Sequence, residues 1–261
     1  MVRAWTRILM VCVATLSCGS AQRNDLAEPP NRSSVASAPQ VPSSASQPDE
    51  GMEGRSEFSL VAEATTPKVE VYQSPGSPSA AWTLEHPQPS GAPLVFLVRQ
   101  QQPEWLEVLL PVRPNGSSGW VRRANVALSQ HNFRILVELD AHRITVYEGD
   151  QVFHSEPIGV GTRDTPTPGG LYYTKELIEP VDEQGRYIPE GPYGPYAYGL
   201  SGFSNVLSSF AGGEGVVGIH GTNDPSALGR DVSHGCIRMS NEGITKLART
   251  LPLGVPVEIQ A

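Results

Sequence analysis

At 261 residues the chain is long enough for one large domain or two small ones, with a sizeable core in either case. Its formal net charge of −8 argues against nucleic acid as a partner, because neutralising phosphates takes a basic surface. The 26 glycines and 24 prolines favour a loop-rich β protein, long linkers, or both.

The chain opens as a targeting segment. Arg3 and Arg7 give a positive start, and the apolar stretch Ile8 to Leu16 is too short to span a bilayer. Gly19 and Ala21 suit an ordinary signal peptidase cutting after Ala21. Thr15-Leu16-Ser17-Cys18 instead resembles a bacterial lipoprotein box, with Cys18 lipidated, although Thr15 stands where leucine is usual. We favour the lipoprotein reading over residues 1–20. Both readings export the protein to the periplasm or cell envelope, and the favoured one anchors it to the membrane by lipid.

Residues 21–57 are rich in Pro, Ser, Ala and Gln. Such a stretch cannot bury enough apolar surface to offset its ordering entropy. It reads as a disordered tether whose reach is about 5–6 Å times the square root of its length, some tens of ångströms.

From 58 to 130 short strands alternate with turn signals. The candidates are Val69–Tyr72, Leu94–Val98, Trp105–Leu109 and Gly119–Val121, separated by Ser74-Pro75-Gly76, Gln100 to Pro103 and Pro114-Asn115-Gly116. This spacing suggests a small barrel or sandwich. Trp105-Leu106-Glu107-Val108 and Gly119-Trp120-Val121-Arg122 resemble a bacterial Src-homology-like barrel. The resemblance implies a module that binds cell-wall glycan or protein. The alternative is a packing or spacer module with Trp105 and Trp120 in its core.

Residues 133–261 read as a β-rich domain with one main helix, so the fold class is mainly β. Ile135, Val137 and Leu139 alternate with polar or outward residues, and Ile144, Val146 and Val152 continue the pattern across a Gly149-Asp150 hairpin turn. Asp164 to Gly170 is irregular, because its two prolines remove ladder donors. Val216 to Ile219 is a short buried strand that delivers His220. Ile244, Leu247, Ala248 and Leu251 fall at i, i+3, i+4 and i+7, a helix capped by Ser240 or Asn241 and stopped by Pro252 and Gly254. Val255 to Ile259 closes the domain as an edge strand, where Pro256 is tolerated. The Gly/Pro-rich stretch 185–202, with Tyr187, Tyr193, Tyr196 and Tyr198, suggests a lid. His86, His131, His142 and His154 fall outside any motif and read as surface or strand residues.

Cys12 leaves with the targeting segment, and Cys18 is lipidated or removed. Cys236 is then the single thiol of the folded part. In an exported protein that means a reactive thiol, an intermolecular disulfide, or an inert buried cysteine, and the count does not choose among them.

The segments Ile219-His220-Gly221-Thr222 and Ser233-His234-Gly235-Cys236-Ile237-Arg238 gather two histidines, a thiol and an arginine among glycines. A histidine partner, Arg238 and the helix just beyond would each favour the thiolate form of Cys236. Successive backbone N–H groups in such a turn can hold an oxyanion. Either His220 or His234 could serve as base, and the Gly221 carbonyl could orient the imidazole of His220. A zinc site built from His220, His234 and Cys236 is the rival reading. A papain-like hydrolase runs in the opposite order, cysteine before histidine.

These two segments, with Thr165-Pro166-Thr167-Pro168-Gly169-Gly170 upstream, resemble the signature of the L,D-transpeptidase (YkuD-like) catalytic domain over about Phe133 to Ile259. The resemblance implies Cys236 as nucleophile, His220 as general base and Gly221 as its orienting group. It further implies Ser233, His234, Gly235 and Arg238 as the supporting oxyanion loop, no metal and no cofactor. The implied substrates are peptidoglycan stem peptides, and the implied outcomes are crosslinking, protein anchoring or trimming by water. A non-catalytic wall-binding protein is the remaining alternative. One departure is Gly243, where the family often has an acid, and glycine there weakens a helix by about 1 kcal/mol relative to alanine.

Overall fold

The computed structural model describes residues 6–9, 58–209 and 214–261. The expected lipidation of Cys18, the expected cleavage and the expected tether over residues 21–57 fall outside the described residues. Within residues 1–20 only Thr6–Leu9 (β1) is described, and its backbone pairs in parallel with Ile178–Val181. Among the described residues no helix is long and apolar enough to cross a membrane.

The N-terminal region comprises β2 (Ser59–Ala64), β3 (Lys68–Val71), β4 (Trp82–Glu85), β5 (Val95–Gln101), β6 (Trp105–Leu109), β7 (Ser118–Arg122) and β8 (Val126–His131). Five of these form an antiparallel sheet in the order β7-β6-β5-β2-β8, and β3 and β4 form a hairpin. The hairpin joins the sheet where Tyr72 and Trp120 exchange backbone hydrogen bonds of 2.8 and 2.7 Å. Alternation decides the faces: in β3, Val69 and Val71 are buried while Lys68 and Glu70 are exposed. Val69 and Val71 pack with Phe96, Leu106, Val108 and Val121. Trp105 is buried under the Arg122 guanidinium, 4.4 Å from its ring centroid, with Tyr72 edge-on at 5.2 Å. The four strands expected from sequence are present, and β2, β4 and β8 join them.

The C-terminal region comprises β9 (Phe133–Glu138), β10 (Arg143–Glu148), β11 (Gln151–Pro157), β12 (Val160–Gly161), β13 (Gly170–Val181), β14 (Ala197–Phe203), β15 (Val216–His220), β16 (Asp231–Ser233), β17 (Ile237–Arg238), α1 (Asn241–Thr250) and β18 (Pro256–Gln260). Its curled main sheet runs β11-β10-β9-β18-β13-β14-β15-β17, and β12 pairs with β16 separately. Ile244, Leu247, Ala248 and Leu251 are all buried, so α1 lays its apolar stripe against the sheet as its periodicity predicts. Each large aliphatic side chain so buried contributes about 1.5–3 kcal/mol.

Three sequence expectations need correction. Val255 to Ile259 is not at the edge: β18 lies between β9, in parallel, and β13, antiparallel. Pro256 is tolerated because it is the first residue of the strand. Val152 does not continue the core stripe, being 59 % exposed on β11, the sheet's outermost strand. The Gly/Pro-rich stretch is not loop throughout, since its last residues form β14. Tyr198 there is fully buried, and its hydroxyl donates to the Leu247 and Leu251 carbonyls at 3.2 and 3.3 Å.

The two β regions pack as one compact unit. Tyr173 of β13 is fully buried among Val61, Val95, Leu97 and Leu109 of the N-terminal sheet. Gly254, at φ +86°, lies so near Val61 that a Cβ would come within 2.5 Å of it. Arg113 donates to the Ser204, Leu207 and Glu214 carbonyls at 2.8, 3.0 and 3.0 Å, and Asn115 brackets the Phe203 peptide with two bonds of 2.8 Å.

Candidate active site

β15 is a buried strand between β14 and β17, and it ends at His220. β17 runs parallel to it, with Ile219 beside Ile237 and His220 beside Arg238. Extended by one residue, this register sets Cys236 beside Gly218, two residues before His220 and on the same face of the strand. A backbone hydrogen bond from Gly218 to the thiol agrees with that placement. Parallel pairing thus sets the segments that carry His220 and Cys236 side by side.

The turn before Cys236 is tied internally. The Ser233 hydroxyl donates to the Cys236 carbonyl at 2.6 Å and accepts from the Gly235 N–H at 3.0 Å. Gly235 has φ +116°, a left-handed conformation that side chains rarely adopt, so glycine is needed here. The irregular Thr165 loop supports the turn from outside: the Thr162 N–H and the Thr165 hydroxyl both donate to the Ser233 carbonyl at 3.1 Å. The prolines at 166 and 168 keep this loop out of any ladder, as the sequence predicts.

Sequence left two candidate bases, and the structure places them differently. His234 is exposed on the turn. His220 is buried, and its Nδ1 donates to the Gly221 carbonyl at 2.6 Å. That bond fixes the tautomer: the proton sits on Nδ1, and Nε2 of the neutral ring keeps its lone pair. Burial pushes the His220 pKa down to about 4, against the upward pull of the Gly221 carbonyl and with help from the Arg238 charge. The Tyr193 ring stands edge-on to the imidazole with centroids 4.9 Å apart.

Cys236 is half-buried and free. Its surroundings were expected to favour the thiolate, but the balance goes the other way. Desolvation raises the thiol pKa and outweighs the Gly218 hydrogen bond and the Arg238 charge, both of which lower it. At neutral pH the resting site therefore holds a thiol and an uncharged imidazole. Among the described residues no group of three or more His, Cys, Asp or Glu is placed to hold a metal ion.

Residues 132–259 match the L,D-transpeptidase catalytic-domain family (YkuD). They are an L,D-transpeptidase catalytic domain. That family is one of cysteine-dependent transferases. The putative L,D-transpeptidase YkuD of Bacillus licheniformis is 37 % identical over 127 residues, covering 49 % of this chain and 65 % of that protein. The putative L,D-transpeptidase YkuD of Bacillus subtilis is 35 % identical over 127 residues, with the same coverage, 49 % and 65 %. The chain thus spans 65 % of the length of these two curated relatives. An L,D-transpeptidase from Mycobacterium tuberculosis H37Rv, a solved structure, is 17 % identical at a TM-score of 0.41, covering 64 % of this chain and 90 % of that one. The family match leaves the N-terminal β region unassigned.

Within this transpeptidase domain the departure at Gly243 has a physical counterpart that sequence reasoning missed. The Glu156 carboxylate, from β11, reaches the start of α1 and accepts from the Ser240 N–H at 2.7 Å and the Ser240 hydroxyl at 2.8 Å. It lies 3.1 Å from His154 Nε2. A carboxylate at a helix N-terminus satisfies orphan donors and complements the helix dipole. This charge, supplied by β11, adds to that of Glu242 in the first turn of α1 itself. Only the glycine in place of an acid at position 243 could have prompted a search for it. Ser240 is the cap, and its hydroxyl accepts from the Gly243 N–H at 2.9 Å.

Proposed function

We propose that the protein is an exported peptidoglycan L,D-transpeptidase that works through a thioester on Cys236. The observation that carries this reading is the His220 Nδ1–Gly221 carbonyl bond of 2.6 Å, which leaves Nε2 of the neutral ring as a proton acceptor. The Cys236 sulfur attacks the carbonyl of the third-position diamino acid in a tetrapeptide stem. Nε2 takes the thiol proton as the carbon–sulfur bond forms, so the neutral pair ionises only as it reacts. Backbone N–H groups of the Ser233–Cys236 turn hold the oxyanion, with Ser233, His234, Gly235 and Arg238 shaping that loop. Collapse of the tetrahedral species breaks the carbon–nitrogen bond, and the imidazolium returns its proton to the departing D-alanine amine. An acceptor amine then attacks the thioester, forms the new amide and frees the thiol.

The acceptor decides the outcome: a stem-peptide or protein amine gives a crosslink or an anchor, and water gives L,D-carboxypeptidase trimming. The substrate places the protein outside the cytoplasm, which accords with the export signal read at residues 1–20. The test is to incubate the chain from residue 58 onward, and its Cys236→Ala variant, with disaccharide tetrapeptides and follow protein and product masses. Loss of D-alanine with a transient adduct on Cys236, absent in the variant, supports the reading. A wild-type protein that neither acylates nor releases D-alanine across several stem peptides overturns it.

A further inference from the structure

From the geometry around the Gly221–Thr222 peptide we infer that Asn241 is a positioning residue for His220, acting by locking the carbonyl that orients the imidazole. The inference rests on the assignment of His220 as general base. The Gly221–Thr222 peptide is trans, so its carbonyl and its N–H point in opposite directions. The carbonyl of Gly221 accepts from His220 Nδ1 at 2.6 Å, and the N–H of Thr222 donates to Asn241 Oδ1 at 2.9 Å. The peptide plane is therefore pinned from both sides, by the base on one and by the first residue of α1 on the other. Only the amide oxygen can accept from an N–H, so the orientation of the Asn241 side chain is itself fixed.

The lock matters because of what it holds. Gly221 gives the adjoining peptide more torsional freedom than any other residue would, and a rotation of that peptide would turn its carbonyl away from Nδ1. The imidazole would then lose the bond that selects its tautomer, and Nε2 could carry the proton instead, which makes it useless as a base. The fit around Asn241 is close. A Cβ added at Gly221 or at Gly194 would collide with Asn241 Oδ1, so two glycines leave the space this amide fills. Asn241 is also held in place from its own side. Ser240, its neighbour, is bound through backbone and side chain to Glu156, which fixes the start of α1.

The experiment compares wild type with Asn241→Ala, Asn241→Ser and Asn241→Asp by two readouts. The first is the nitrogen NMR shifts of His220 in resting protein at pH 7, which report the tautomer without substrate. The second is the rate of Cys236 acylation, separated into kcat and KM. Wild type should show one tautomer protonated at Nδ1, and Asn241→Ala a mixture. Acylation in Asn241→Ala should fall by about 10- to 100-fold in kcat with little change in KM. Asn241→Asp retains an acceptor oxygen at the same reach and should recover most of the rate. If the alanine variant does not fold, Asn241→Ser serves, because its hydroxyl suits the first turn of a helix but is too short to reach the Thr222 N–H. An unchanged tautomer and a kcat within twofold of wild type in a folded variant would overturn the inference. A wild-type protein that never acylates overturns the proposed function instead, and the nitrogen shifts still decide whether Asn241 holds the tautomer.

Discussion

The carboxylate of Glu156 stands where a side chain on Gly243 would have to go: a Cβ there would lie 2.5 Å from Oε2 and 2.7 Å from Oε1. Helix propensity alone predicts that Gly243→Ala stabilises the protein by about 1 kcal/mol. The carboxylate cannot swing aside freely, because Ser240 holds it with two hydrogen bonds and it packs beside His154. We expect Gly243→Ala to destabilise by about 1–2 kcal/mol, the scale of charge-assisted hydrogen bonds weakened in a half-buried site. In a Glu156→Ala background the same substitution should become neutral or stabilising. Urea midpoints of the four proteins check this, and a single variant more stable than wild type would refute it.

Stability should fall as pH drops from neutrality toward 4, and His220 should account for part of the slope. Its folded pKa is about 4, below the 6.5 of an ordinary histidine, because burial opposes the charge. Between those values the unfolded chain binds a proton that the folded protein refuses, so stability rises with pH across that window. The effect is absent above the unfolded pKa and amounts to about 3 kcal/mol below the folded one. His131, also shifted down by burial, adds to the same slope. A His220→Gln variant should show a shallower loss between pH 7 and pH 5 in denaturant titrations. Equal slopes would mean that His220 is accessible to protons in the folded state.

Alkylation of Cys236 by iodoacetamide should be slow at pH 7 and should rise with a midpoint above the roughly 8.5 of a free thiol. The cause is the desolvation that raises its pKa. Arg238→Gln removes a charge that lowers the pKa of this thiol, so it should move the midpoint further upward. A midpoint at or below that of the urea-unfolded protein would show that the thiolate is already favoured at rest.

Removing residues 1–130 should not yield a stable catalytic domain. The cut would bare Tyr173, which is fully buried against Val61, Val95, Leu97 and Leu109, and would strip Arg113 from three carbonyls of the segment leading into β15. We expect the fragment to be insoluble or molten, judged by circular dichroism and thermal melts. A soluble fragment with the melting temperature of the chain from residue 58 onward would contradict this. Tyr173→Ala in that longer chain provides a milder version, with an expected loss of about 3–5 kcal/mol.

What the sequence reveals about this molecule follows the range over which its interactions act. The apolar spacing of Ile244, Leu247, Ala248 and Leu251 predicts α1 correctly, because a helix is a local structure whose buried face can be read from one window. Ile135, Val137, Ile144 and Val146 announce a half-buried hairpin for the same reason. The central position of β18 is invisible locally, since its partners β9 and β13 are distant in sequence and a proline at its start suggests an edge. Histidine 220, Cys236 and the Ser233 turn stand out by composition, while Glu156 and Asn241 do not. A lone glutamate in a strand and an asparagine at a helix start have ordinary explanations until the fold brings them to Ser240 and Thr222.

The uncharged resting pair of Cys236 and His220 also bears on survival between turnovers. Peroxide and disulfide exchange act on thiolates, and the oxidation ladder to sulfenic acid and beyond starts from that anion. On the proposed mechanism, the sulfur gives up its proton only while bonding to a carbonyl and spends its idle time as a poor target for oxidants. Such a protein would keep its activity on storage in air without added reductant and would lose it fastest at alkaline pH. It would need no partner thiol to restore it, in surroundings where reducing enzymes are scarce.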